Sequence, residues 1–196
     1  MSDLASGTLH DECFEPEIVA SETSFAGRVW DIRTETFRYG DDTLTREFMD
    51  HPGAAATVAL DDDGRVLLIQ QYRHPIRARD WEIPAGLLDV PGEDPLEAAR
   101  RELTEEADLE AAHWEPLVQY TPTPGGCNEV IHIYLATGLR PAPRPHEREA
   151  EERDMRREWL PLSDAVDAVL SGRMRNGALA VGVLAAAHRV RTGHGA

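Results

Sequence analysis

Glu102, Glu105 and Glu106 stand three and four residues apart, so a helix through them presents several carboxylates on one face. Like charges at that spacing destabilise a helix unless something positive sits among them. The cation that suits such a face is Mg2+, which takes carboxylate, backbone carbonyl and water oxygens. The chemistry this points to is metal-assisted hydrolysis of an anionic substrate, where a diphosphate needs charge neutralisation and a positioned water. Spacing alone leaves a solvated acidic helix face equally open. A P-loop glycine cradle and a G-x-S-x-G nucleophile turn are both missing. Arg101 is four residues from Glu97 and from Glu105, an ordering partner for either, and Arg100 is suited to snorkel over a core. Arg73, ending the run VLLIQQYR, and Glu82, just before Ile83-Pro84-Ala85-Gly86, are candidates for substrate contact; an exposed strand position is the plainer alternative for Glu82.

The elements that must hold these residues follow from pattern. Asp94-Pro95-Leu96-Glu97 starts a helix: Asp94 caps, Pro95 fills the first turn and Glu97 completes a capping box. Leu96, Ala99, Leu103 and Ala107 make its buried stripe, with the glutamates at the edge of that stripe. Upstream, 28–38 and 43–50 read as strands around a turn at Tyr39-Gly40-Asp41-Asp42, and 54–60 with 65–73 as a second hairpin about the DDDG turn. Residues 80–84, 113–120, 130–136 and 156–160 are further strands, and helices are expected from Ser163 through Leu170 and from Ala178 to Val190. Strands and helices mix without a regular βαβ repeat, which predicts an α+β fold. The stretch 141–155 is a proline-punctuated charged loop, readable as a linker or as a mobile catalytic loop.

Bulk properties narrow the classes. A chain of 196 residues buries one good core, and 41% hydrophobic with 29% charged residues suits a folded domain. A net charge of -16 argues against nucleic-acid binding, yet a metal and a few arginines can reverse the local field for a phosphate-bearing small molecule. No apolar run approaches the roughly 18 residues of a membrane span, and the acidic start lacks the form of a signal peptide. Cys13 and Cys127 make no disulfide framework, so a cytoplasmic protein without nucleic-acid or membrane partners is expected.

The segment 86–109, GLLDVPGEDPLEAARRELTEEADL, closely resembles the Nudix box, with Glu93 as its early glutamate and Arg101-Glu102-Leu103-Thr104-Glu105-Glu106 as its late part. Two departures stand out. One extra residue lies in the LLDVPG turn, ahead of the helix and harmless to its phase. Asp108 replaces the usual late glycine, at a left-handed position where Asp costs about 1 kcal/mol more. The flanks QYRHPIRARDWEIPAGLLDVPGE, VQYTPTPGG and IYLATGLR, with Pro124 downstream of the box, resemble the ADP-ribose pyrophosphatase branch of that superfamily.

The resemblance implies an α+β, Nudix-like α/β/α sandwich with a mixed sheet and an N-terminal β-hairpin extension. It implies hydrolysis of ADP-ribose to AMP and ribose 5-phosphate, with other nucleoside diphosphate sugars, dinucleotides or a silent ADP-ribose sensor as alternatives. It assigns Glu102, Glu106, Glu105 and the Ala85 carbonyl to Mg2+, for which Mn2+ can substitute, and gives Glu93 and Arg101 supporting roles. Trp30 and Arg46 become substrate contacts, joined by Arg73, Glu82, Gly125 and Glu129. The base that activates water is expected outside the box, Glu151 first and Glu152 second, with Glu149 and Asp154 behind them and Glu105 in support. A homodimer is implied, with residues 20–52 as its β-strand region, 53–190 as the hydrolase domain, and 1–19 and 191–196 as flexible tails.

Overall fold

The computed structural model describes residues 9–144 and 154–193. The chain divides into two compact units, residues 1–50 and 51–196.

In the first unit, β1 (Ile18–Phe25), β2 (Asp31–Tyr39) and β3 (Asp42–Asp50) form an antiparallel sheet in that order. The expected hairpin is β2–β3: Tyr39 pairs with Asp42, leaving a two-residue turn in which Gly40 has φ +61°. That left-handed backbone favours glycine and matches the strand twist. The expected hairpin extension is thus a three-stranded sheet, because β1 joins it, starting at Ile18 within the segment read as a tail. All eight residues of β1 are exposed, so no inward apolar alternation marked the strand in the sequence.

The second unit contains β4 (Ala54–Ala59), β5 (Arg65–Arg73), β6 (Ala78–Glu82), β7 (Ala85–Leu87), α1 (Pro95–Ala107), β8 (Leu109–Tyr120), β9 (Ile131–Pro141), β10 (Arg156–Pro161), α2 (Leu162–Leu170) and α3 (Gly177–Thr192). One sheet runs β7-β4-β9-β8 and another β10-β5-β6. The first is mixed: β4 lies parallel to β9, and its other pairings are antiparallel. The hairpin expected from 54–60 and 65–73 is corrected here. β4 and β5 pair only through an isolated bridge between Leu60, one residue past β4, and Val66, then part into different sheets that still pack through Val58 and Leu68. The reason is burial: every residue of β4 is buried, as a central strand covered on both faces requires.

The faces of β4 explain the sandwich. Ala56, Val58 and Leu60 join a core with Ala165 of α2 and Leu179, Val183 and Ala186 of α3. Ala55 packs with Ala98 and Ala99 of α1, and Ala59 with Leu103 and Ala107. Thr57, on the α1 side, donates its hydroxyl to the Ala99 carbonyl at 3.3 Å. Small residues there bring α1 close to the sheet. On the other face Gly182 does the same for α3, since a Cβ would lie 2.9 Å from Val58 Cγ2 and 3.1 Å from Ile83 Cδ1.

Candidate functional site

The acidic helix is built as its sequence suggests at its start. Asp94 Oδ1 accepts from the Leu96 N–H at 2.9 Å and Pro95 opens the helix. Glu97 is turned to Arg100 at 2.7 Å, so the capping box is replaced by an ion pair on the solvent face. Arg100 also stands 5.8 Å over the Trp114 ring. At the far end Asp108 takes the left-handed conformation expected of the missing glycine, with φ 56°. Its carboxylate accepts from Arg157 at 2.6 Å, and the same guanidinium reaches the Ala107 carbonyl at 2.9 Å.

β7 runs beside the glutamates. Glu106, only 5% exposed, accepts the Ala85 N–H on Oε2 at 2.9 Å. A Cβ on Gly86 would fall 1.9 Å from Glu102 Oε1, so only glycine lets the strand backbone meet that carboxylate. The positive group among the acids is Arg101. It donates to both oxygens of Glu93 at 3.1 and 3.0 Å, to Glu102, and to Glu105 at 3.2 Å. The Arg101 guanidinium holds the Glu93 carboxyl below its usual range, and its own ionisation is pushed up by those same partners. Among the described residues, no three acidic, imidazole or thiol groups are placed to hold one metal ion; Glu93, Glu102 and Glu105 turn to Arg101, and Glu106 to the Ala85 N–H.

An open cleft of about 280 Å³ is lined by Gln71, Arg73, Ala85, Gly86, Asp89, Glu102 and Glu106, among others. Arg73 is fixed there by a two-pronged pair, Nε to Glu82 Oε1 at 2.7 Å and Nη2 to Oε2 at 2.6 Å. Glu82 is 4% exposed and takes a further contact from Gln71 at 3.5 Å. The Glu82 carboxylate raises the Arg73 pKa, which keeps that guanidinium charged at the cleft wall. Glu82 therefore stands behind Arg73 as its anchor. Gln71 and Asp89 were not foreseen. Gln71 sits in an apolar strand, and its 7% exposure is visible only once β6 is paired against β5.

The cleft thus gathers Ala85, Glu102, Glu106 and Arg73, with Glu105 on its flank through Arg101. Gly125 and Glu129 lie on the loop between β8 and β9, where Gly125 is exposed and Glu129 half-buried. Trp30 and Arg46 belong to the N-terminal unit: Trp30 precedes β2, and Arg46 on β3 donates to the Thr45 carbonyl at 2.8 Å. Glu149, Glu151 and Glu152 lie outside the described residues. Asp154 is engaged by Arg79 of β6, which holds its carboxyl below the usual range and so makes it a poorer base.

The donors fit a hard divalent cation. Glu102, Glu105 and Glu106 supply oxygen only, and the side-chain-free edge at Gly86 leaves backbone open to the carboxylates. Comparison with known proteins points the same way. Residues 49–179 match the NUDIX domain model. The chain is 45% identical over 178 residues to the ADP-ribose pyrophosphatase of Mycobacterium tuberculosis, spanning 90% of this chain and 85% of that one. It is 33% identical over 139 residues to the ADP-ribose pyrophosphatase of Bacillus subtilis, spanning 70% and 75%. The crystal structure of an ADP compounds hydrolase superposes with a TM-score of 0.77 over 95% of this chain and 99% of that one, at 20% identity, which speaks to the fold.

Proposed function

This chain belongs to the NUDIX domain family, whose hydrolases depend on divalent metals, and on that premise we propose that its cleft hydrolyses the diphosphate of ADP-ribose to AMP and ribose 5-phosphate. The observation that carries the proposal is the meeting of β7 with α1, where Gly86 leaves room for Glu102 and the Ala85 N–H holds Glu106. Glu102, Glu106 and the Ala85 carbonyl are the proposed ligands, with Glu105 beside them and Mg2+ as the ion. Bound there, the cation supplies charge neutralisation for the diphosphate. Arg73, aimed by Glu82, holds a phosphate oxygen. Glu151, or Glu152 beside it, takes the proton from the attacking water, whose oxygen displaces one phosphate from the other. Trp30 and Arg46 serve the adenosine and phosphate groups, and Gly125 and Glu129 the terminal ribose.

A homodimer is part of the same proposal. Every buried apolar residue among those described lies at Ala54 or beyond, while Phe14, Ile18, Val19, Phe25 and Val29 of the N-terminal unit are exposed. A three-stranded sheet needs an apolar face covered to be stable. A second copy of the chain supplies that cover. No helix among the described residues is long and apolar enough to cross a membrane. The proposed location is the cytoplasm, read by cell fractionation.

The test is a substrate panel with Mg2+ and product identification. ADP-ribose should greatly outpace ADP-glucose, NADH and diadenosine polyphosphates. Equal or better turnover of any of these under matched conditions overturns the specificity, and tight ADP-ribose binding without products across several divalent metals would make the protein a sensor.

A further inference from the structure

His51 carries no sequence signal, yet its side chain is only 6% exposed and sits at a junction of two loops. Its Nδ1 accepts the Gly53 N–H at 3.0 Å, so in the neutral ring the proton resides on Nε2. Nε2 faces Glu129 Oε1 at 3.5 Å. The main-chain N–H of His51 donates to Asn128 Oδ1 at 2.7 Å, and the next link in that direction is Ala54 N–H to the Val130 carbonyl at 3.0 Å. On the other side the Gly53 carbonyl accepts the Leu88 N–H at 3.1 Å, one residue beyond the Leu87 that lines the cleft. Gly53 itself has φ +92°, and a Cβ there would press on the Val130 carbonyl at 3.2 Å and on Leu88 Cδ1 at 3.3 Å. The corner is therefore shaped for one residue type and ties the loop of Asn128 and Glu129 to the box turn. Glu129 is also felt by Tyr120, whose hydroxyl is pushed to higher pKa by burial first and by the Glu129 charge second.

We infer that His51 is a positioning residue for substrate binding: its Nε2–H aims the Glu129 carboxylate, an acceptor suited to vicinal hydroxyls, at the distal sugar of a nucleoside diphosphate sugar. This rests on the ADP-ribose reading above. His51 touches no substrate. Its effect falls on binding and leaves the bond-breaking groups of the cleft alone.

Two substitutions separate the nitrogens. His51→Asn keeps an oxygen near the Nδ1 position for Gly53 and deletes the link to Glu129. His51→Gln keeps a donor near the Nε2 position and loses the acceptor. With ADP-ribose and Mg2+, H51N should raise KM about 10-fold with kcat nearly unchanged, whereas H51Q should stay close to the parent KM. Glu129→Gln should raise KM to a similar extent, and H51N/E129Q should be no worse than either single variant. Thermal midpoints of all four are measured alongside. An unchanged KM in H51N, equal impairment of H51N and H51Q, or multiplying effects in the double variant would each overturn the inference. Should the parent protein not cleave ADP-ribose at all, the reading of function fails separately. The same variants are then compared by calorimetric ADP-ribose binding, where loss in H51N with retention in H51Q is still required.

Discussion

At the scale of single residues, the cleft depends on how closely a strand can approach a carboxylate. Gly86→Ala places a methyl where Glu102 Oε1 now lies, and the flexible end of Glu102 must swing away. We expect turnover to fall about 100-fold with little change in thermal midpoint, because displacing one reactive group by about 1 Å is enough. A variant with parental kcat would show that Glu102 is not needed where it stands. For the water-activating group, Glu151→Gln should lower kcat by about 100-fold or more while fold and metal binding persist, and a near-normal rate would pass the assignment to Glu152, tested in the same way. Asp154 gives a pH prediction. Its folded-state pKa is depressed by the Arg79 hydrogen bond, so the stability this pair contributes is complete above the ordinary value of 3.8 and is lost as pH falls through the lower folded value. Urea midpoints of the parent and of Asp154→Asn should differ at pH 7 and draw together as pH falls below 3.8. A difference that persists in acid would assign the effect to something other than the ion pair.

At the scale of elements, two helices are seated by devices of different kinds. α3 approaches the sheet through Gly182, and Gly182→Ala should cost about 1–3 kcal/mol by overpacking against Val58 and Ile83, read by chemical denaturation. α1 ends on Asp108 in the left-handed region, and β10 answers with Arg157, which bonds both the Asp108 carboxylate and the Ala107 carbonyl. The departure from glycine is thus compensated by a strand 49 residues further on. Asp108→Gly exchanges about 1 kcal/mol of backbone relief for a lost partner and should be close to neutral. The capping signal of Asp94 and the left-handed stop were both legible in local sequence, because each is a property of one helical turn. The fate of Glu97 was not, since the bond to Arg100 competes with the cap only when side chains are placed.

At the scale of the whole molecule, the N-terminal unit has to find cover for its apolar side chains. Mass measurement in solution should give twice the chain mass, and Ile18→Asp with Val19→Asp should shift the population to single chains. A parent protein that remains a single chain at micromolar concentration would overturn the dimer. The paired layers of the second unit are easier to anticipate from sequence. Helical spacing in 95–107 and apolar runs in 54–60 and 65–73 suffice to place elements, but two buried strands in a row look like a hairpin. Only the parallel partner β9 shows that β4 and β5 belong to different sheets.

Sequence by itself determined the layout of the acidic helix: residue type and a 3.6-residue period put Glu102, Glu105 and Glu106 on one face, and the order of the whole 86–109 segment matched the Nudix box. It also placed Arg73, Glu82 and Gly86 in the segments that build the cleft. Tertiary structure decided between the partners that spacing offered Arg101: it takes Glu105, leaves Glu97 to Arg100, and reaches back to Glu93 across the turn. Pairing Glu82 behind Arg73 and seating His51 against Glu129 were tertiary decisions too. The physical reason is range. Helical period, caps and turns act over a few residues and are written locally. Contacts such as His51 to Glu129 join distant segments, and burial gives them their meaning only after the strands between have paired.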